Sequence, residues 1–189
     1  MRDDVPMDDM FVIPAGDAGE RGADLMVRSG GKMARRVVEV LAPRRGGRVL
    51  EIGFGPGLAL ELLSLAVPDG QVTGVDPSGL MHRRATERNA AAIDDGRMTL
   101  VSGTVAHLPF DDDSFDAALT VDSLHFWPDA GAGLSQLRRV LRDGAVVVAA
   151  FTPPSGGPPS GFEQLFHRAG FSDVVVRRYS EGVVLSAVN

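Results

Sequence analysis

Val49-Leu50-Glu51-Ile52-Gly53-Phe54-Gly55-Pro56-Gly57 decides the fold of this chain. A buried-strand pattern runs into a glycine-rich turn. A helix pattern follows at once, with Leu58, Leu60, Leu62, Leu63 and Leu65 as apolar positions. Strand, glycine turn and helix form the first unit of an open α/β sheet, where ligands bind at the carboxyl ends of the strands. The helix N-terminus beyond the turn offers unpaired N–H groups and a positive dipole end. Glu51 narrows the ligand. No Lys or Arg lies between Glu51 and Asp76, so a pyrophosphate would meet a carboxylate and no nearby cation. A ligand carrying positive charge would be welcome. The spacing agrees. A dinucleotide fingerprint is G-x-G-x-x-G, and its last glycine would fall at Leu58.

Working outward, residues 1–23 read as an irregular arm with an apolar patch at Met10, Phe11, Val12 and Ile13. It is either a frayed tail or a lid over a ligand. Asp24 to Leu41 reads as a helix that Gly30-Gly31 should break or kink. Beyond the glycine turn, strands are expected at 71–75, 98–101, 115–121 and 145–151, and helices at 79–93 and 129–141. Arg142-Asp143-Gly144 should turn the chain into the fifth strand. Pro153 to Gly161 is a short Pro/Gly/Ser linker. A brief helix at 162–169 precedes two strands near 173–178 and 183–188, joined by a short hairpin connection. Strands alternating with helices imply a parallel sheet with right-handed crossovers, and the hairpin adds an antiparallel strand near one edge.

Composition bounds the function. At 189 residues the chain is most economically one domain, 1–189, with 1–31 as arm or lid and 32–189 as core. Its net charge of −6 disfavours nucleic acid and an anionic membrane surface as partners. The absence of cysteine excludes disulfides, thiolate zinc sites and a cysteine nucleophile. Met1-Arg2-Asp3-Asp4-Val5-Pro6 does not read as a secretory signal, and no apolar run approaches a membrane span, so a cytoplasmic location is the expectation.

The carboxyl ends of the strands carry the candidate chemistry. Asp76 falls at the distance expected for an acid that binds ribose hydroxyls, with a helix N-cap as its plainer role. Thr104 Oγ, in the loop after strand three, is a possible acceptor for a purine amino group. Strand four leads to Val121-Asp122-Ser123-Leu124-His125-Phe126-Trp127. No His and carboxylate constellation stands at metal-ligand spacing, so no metal is expected.

These motifs resemble the class I S-adenosylmethionine-dependent methyltransferases, in their small-molecule branch. The ordered series is the glycine stretch, Gly74-Val75-Asp76-Pro77-Ser78 with Met81, Leu108-Pro109-Phe110 with Phe115-Asp116, Leu124-His125, Leu137 to Gly144, and Ala169-Gly170-Phe171. The resemblance implies a Rossmann-like three-layer sandwich, with a seven-stranded sheet in order 3-2-1-4-5-7-6 and strand 7 antiparallel. It implies S-adenosyl-L-methionine as cofactor, held by Glu51, Gly53, Phe54, Gly55, Gly57, Asp76, Pro77, Met81, Gly103, Thr104, Val105 and Val121. Within that set the glycine turn would meet the methionine portion, Glu51 the ammonium, Asp76 the ribose and Met81 the adenine. The chain departs from the family pattern at Gly103-Thr104-Val105, which often reads Gly-Asp-Ala. It also departs at Arg142-Asp143-Gly144, often Lys-Pro-Gly, and in having only a linker where relatives insert substrate-binding elements.

The expected reaction is in-line transfer of an activated methyl group to O, N or C of a small molecule, with orientation as the main contribution of the protein. A general base is needed only for a protonated nucleophile. The candidates are His125 and Asp122. Their plainer roles are pocket lining and a loop hydrogen bond. With so little insertion, the cap over the acceptor falls to residues 1–31 or to a second copy in a homodimer. Two other readings stay open: a cofactor-binding relative that does not methylate, including an inactive partner subunit, and a nucleotide-dependent oxidoreductase.

Overall fold

In the computed structural model, which describes residues 8–189, a π-turn at Asp8–Val12 leads into helix α1 (Gly16–Leu41). Then follow β1 (Arg48–Ile52), α2 (Leu58–Ala66), β2 (Gln71–Asp76), α3 (Gly79–Arg88), α4 (Ala90–Asp94), β3 (Met98–Ser102) and β4 (Phe115–Val121). The chain finishes with α5 (Ala130–Val140), β5 (Leu141–Phe151), α6 (Phe162–Arg168), β6 (Ser172–Tyr179) and β7 (Gly182–Val188). The seven strands form one sheet in the order β3-β2-β1-β4-β5-β7-β6. β7 runs antiparallel to both neighbours, and the other pairings are parallel. This is the expected Rossmann-like topology.

Strand alternation divides the core. Val49 packs with residues of α1, α2 and α3. Leu50 and Ile52 pack with α5 and α6. Because successive side chains point to opposite faces, Glu51 follows Val49 and faces the α1 side. By the same rule Asp76 faces away from Val75, onto the face that Glu51 shares. The sheet therefore sets both carboxylates on one face at the ends of neighbouring strands.

Four local expectations are corrected. The arm is not irregular up to residue 23: α1 starts at Gly16 and runs unbroken through Gly30-Gly31. Interior glycines cost about 1 kcal/mol each relative to alanine. Here they allow close approach, since a Cβ on Gly22 would collide with the Met10 carbonyl and one on Gly30 would lie 3.0 Å from Leu58 Cδ1. Burial of Met33, Ala34, Val37 and Leu41 offsets the cost. Residues 1–7 of the arm lie outside the described residues. The helix expected over 79–93 is divided at Asn89, whose side chain turns back to the Gly57 and Ala85 carbonyls at 3.2 and 2.9 Å. The turn expected at Arg142-Asp143-Gly144 is instead the irregular start of β5. Leu141 pairs with Phe115 before the register shifts to Val146 opposite Ala117. Among the described residues no helix is long and apolar enough to cross a membrane.

Candidate functional site

The site is built at the carboxyl ends of β1, β2 and β4. Gly53 closes the glycine turn. Its φ is +71°, its N–H donates to the Val75 carbonyl at 2.7 Å, and a Cβ there would collide with Ser123 Oγ in the loop after β4. Gly57 follows with φ +81°, and its carbonyl accepts from Asn89, so the α3–α4 joint grips the turn from behind. Phe54 is buried and meets His82 edge-on at 5.0 Å.

Two carboxylates flank this turn. Asp76 is 6% exposed, and its oxygens accept from the Gly55 N–H at 3.0 Å and the Ser78 N–H at 2.8 Å. Burial pushes its pKa up, against those two bonds and the pull of His82. The helix N-cap is supplied by Ser78 and not by Asp76: the Ser78 hydroxyl accepts from the Met81 N–H at 3.2 Å. Glu51 is 2% exposed, and its Oε2 has no hydrogen-bond partner. Burial, and then the charge on Asp76, raise its pKa well above the ordinary 4.5. Among the described residues no Lys or Arg pairs with either acid.

The third strand adds an edge. The Gly103 N–H donates to the Asp76 carbonyl at 3.3 Å, which brings the Gly103-Thr104-Val105 turn beside Asp76. Thr104 is exposed there, whereas Val105 is buried. Pro77 is exposed. Met81 is buried and packs in the core with Leu80 and Ala85. The side chain of Val121 packs against the α1 side of the core.

Beyond β4, Asp122 is held in the left-handed region at φ +50°. Its two oxygens accept from the Thr152 N–H at 2.7 Å and the Thr152 hydroxyl at 2.5 Å, tying the end of β4 to that of β5. His125 is half-buried, and neither ring nitrogen has a partner. Burial holds its pKa below 6.5, against the charge of Asp122, which favours the neutral ring. Phe126 packs against it at a tilt, with ring centroids 4.0 Å apart, and is 37% exposed; Phe151 lies at 6.0 Å and in turn meets Phe162 at 5.5 Å. Trp127 donates to Ser123 Oγ at 3.0 Å and packs in the α5 side of the core. His107 is exposed.

α1 covers the turn. A Cβ on Gly55 would lie 3.6 Å from Met26 Sδ. The Ser78 hydroxyl donates to the Pro14 carbonyl at 2.5 Å, and Arg84 pairs with Glu20 and Asp24. Ser123, Thr152 and Asn89 escaped the sequence reading. Each is a small polar residue whose role depends on a partner 30 or more residues away. Two cavities of about 330 and 340 Å³ lie at the opposite ends of the strands, beside arginine and aspartate side chains that pair with one another. No metal-ligand cluster occurs among the described residues.

The arrangement suits a cationic ligand without phosphate: a glycine turn, two uncompensated buried acids and an orphan carboxyl oxygen. Comparison with known proteins gives three findings. A family model described as a methyltransferase domain matches residues 50–149. A demethylmenaquinone methyltransferase of Roseiflexus sp. (strain RS-1) is 39% identical over 110 residues, which are 58% of this chain and 44% of that protein. This chain therefore spans less than half the length of that curated relative. Two solved structures share the fold. One is the methyltransferase in complex with the Haloferax volcanii Trm112 activator, with TM-score 0.78 and 19% identity, covering 94% of this chain and 96% of that one. The other is Haemonchus contortus phosphoethanolamine N-methyltransferase 2 with S-adenosyl-L-methionine, with TM-score 0.78 and 16% identity, covering 95% and 59%.

Proposed function

The chain belongs to the methyltransferase-domain family of class I S-adenosylmethionine-dependent enzymes, and from that premise we propose that it methylates a small molecule with S-adenosylmethionine as the donor. One observation carries this reading: Glu51 and Asp76 are buried beside the glycine turn without a cation to pair them. In that reading Asp76 accepts from the ribose hydroxyls and Glu51 faces the ammonium group. The turn lets backbone N–H groups approach the methionine portion, and Pro77 and Thr104 flank the adenine. When bound, the sulfonium supplies an activated methyl group. Calorimetry against S-adenosylmethionine and NAD tests the assignment: the first should bind and the second should not, and binding of NAD alone would overturn it.

The acceptor side is assigned to His125 and Phe126, with the buried rings of Phe151 and Phe162 behind them. Its apolar rings and imidazole suit a planar, mainly apolar acceptor with an ionisable hydroxyl; the quinone named for the Roseiflexus relative shares the planar apolar ring. His125 is the base in this reading. Asp122, with both oxygens on Thr152, is a positioning residue. His125→Phe should leave cofactor affinity intact and lower turnover on a phenolic acceptor by about 100-fold or more. A depressed pKa means that the base is lost as pH falls through a value below 6.5, so the wild-type rate should show an acid limb there that the variant lacks. Lost cofactor affinity with unchanged turnover at saturation would instead make His125 a pocket-lining residue. A labelled-methyl assay over phenols, amines and carboxylates identifies the acceptor class.

The arm is assigned as the lid, within one domain. Because α1 starts at Gly16, the informative cut removes residues 1–15, which takes away the π-turn and the Pro14 carbonyl and leaves the helix whole. That truncation should melt cooperatively and lose most of its turnover. Full activity would rule out the lid.

A further inference from the structure

Glu51 and Asp76 share one face at neighbouring strand ends, and the two acids are not equally equipped to hold charge. Both Asp76 oxygens accept backbone N–H bonds, which favour the carboxylate form. Glu51 Oε2 has no donor at all. An ionised carboxylate buried without a partner is far costlier than a neutral acid. The surrounding charges do not relieve Glu51. From β2 it faces Asp76; His82 of α3 bonds to the Asp76 carbonyl at 2.9 Å; Asp122 beyond β4 is committed to Thr152; and α1 lays the Met26 thioether over the turn. Of the two acids, Glu51 is the one whose surroundings favour the protonated form.

We propose that the free protein holds Glu51 as the neutral acid and that binding of S-adenosylmethionine expels this proton to solvent, one per cofactor bound. The inference rests on the cofactor assignment above. The exchange balances: a neutral carboxyl and a ligand of net single positive charge give a carboxylate–cation pair and one free proton. Glu51 thereby becomes a charge-specificity residue. Below its raised pKa the carboxylate forms only opposite a cation, so there a ligand without one leaves the proton in place.

Calorimetric titration of the full chain with S-adenosylmethionine at about pH 6.5, in phosphate and in imidazole buffers, reads the proton directly through the difference in buffer ionisation heat. The expected result is release of up to about one proton per cofactor, with affinity rising up to about tenfold per pH unit where release is complete. Release should decline toward zero at higher pH, where Glu51 ionises unaided. Glu51→Gln should bind more weakly with buffer-independent heats. The same proton has a consequence without cofactor. The unfolded chain gives it up near 4.5 and the folded one only at higher pH, so stability should fall as pH rises through that interval. Glu51→Gln should lessen that slope. Cofactor binding with buffer-independent heats in the wild type overturns the proposal and leaves the cofactor assignment standing. So does release that persists in Glu51→Gln or stays constant with pH. No binding of S-adenosylmethionine at all overturns both.

Discussion

Asp76→Ala should raise the dissociation constant for S-adenosylmethionine by about 100-fold or more, with the sheet still folded. Each oxygen of Asp76 already accepts one backbone N–H, from Gly55 and Ser78. A carboxylate has about four lone-pair sites, so two remain for a ribose diol. Hydrogen bonds to a charged acceptor contribute about 1.5–3 kcal/mol each, and about 1.4 kcal/mol is one decade of affinity. Losing both therefore costs at least two decades. The alanine also leaves two amides without their partner, while removing a buried carboxylate whose pKa is raised by burial. These effects oppose each other in stability, so affinity should change much more than the melting temperature. Asp76→Asn keeps the shape and one good acceptor and should fall between wild type and alanine. Calorimetry and a thermal melt on the same samples decide the matter. A folded alanine variant with wild-type affinity would reduce Asp76 to a brace for the glycine turn.

The second large effect is expected at Gly53. Gly53→Ala should destabilise the protein by roughly 2–5 kcal/mol, from about 1–2 kcal/mol for a left-handed φ and about 1–3 kcal/mol for overpacking. For a chain of this size that lowers the melting temperature by about 4–20 °C. The two costs have separate sources. The φ of +71° belongs to the turn, whereas the collision is with Ser123 of the loop after β4. Ser123→Gly in the same chain should recover the packing part and none of the backbone part. It also removes the acceptor of the Trp127 indole N–H, so the single Ser123→Gly variant is the necessary reference. Cofactor binding should fall along with stability in Gly53→Ala, because the displaced turn carries the Gly55 amide away from Asp76. A melt unchanged from wild type would show that the turn has room this structure does not give it.

Much of the architecture was legible because its signals are local. The strand–turn–helix at Val49–Ala66 and the later strands follow from apolar runs punctuated by glycine and aspartate. Helix α1 shows where local signals stop. Gly30-Gly31 reads as a break by propensity, and the helix continues because Leu58 of α2 packs close against Gly30 and because Met33, Ala34 and Val37 are buried beyond it. In the site, the two acids were legible from their places at strand ends. The engagement of Asp122 by Thr152 was not, since it depends on β4 and β5 lying side by side.

The amino-acid sequence alone determined the fold class and pointed to a cationic ligand. Alternating apolar runs leave few ways to build a sheet, and an acid-bearing glycine turn without cations has one electrostatic preference. Tertiary structure alone decided which polar groups are satisfied and which are left wanting. It set the Asp76 oxygens on two amides, the Asp122 oxygens on Thr152, and the Glu51 oxygen and the His125 nitrogens on no protein group. Hydrogen-bond satisfaction depends on distances of about 3 Å between residues far apart in the chain, and only the packed molecule fixes those.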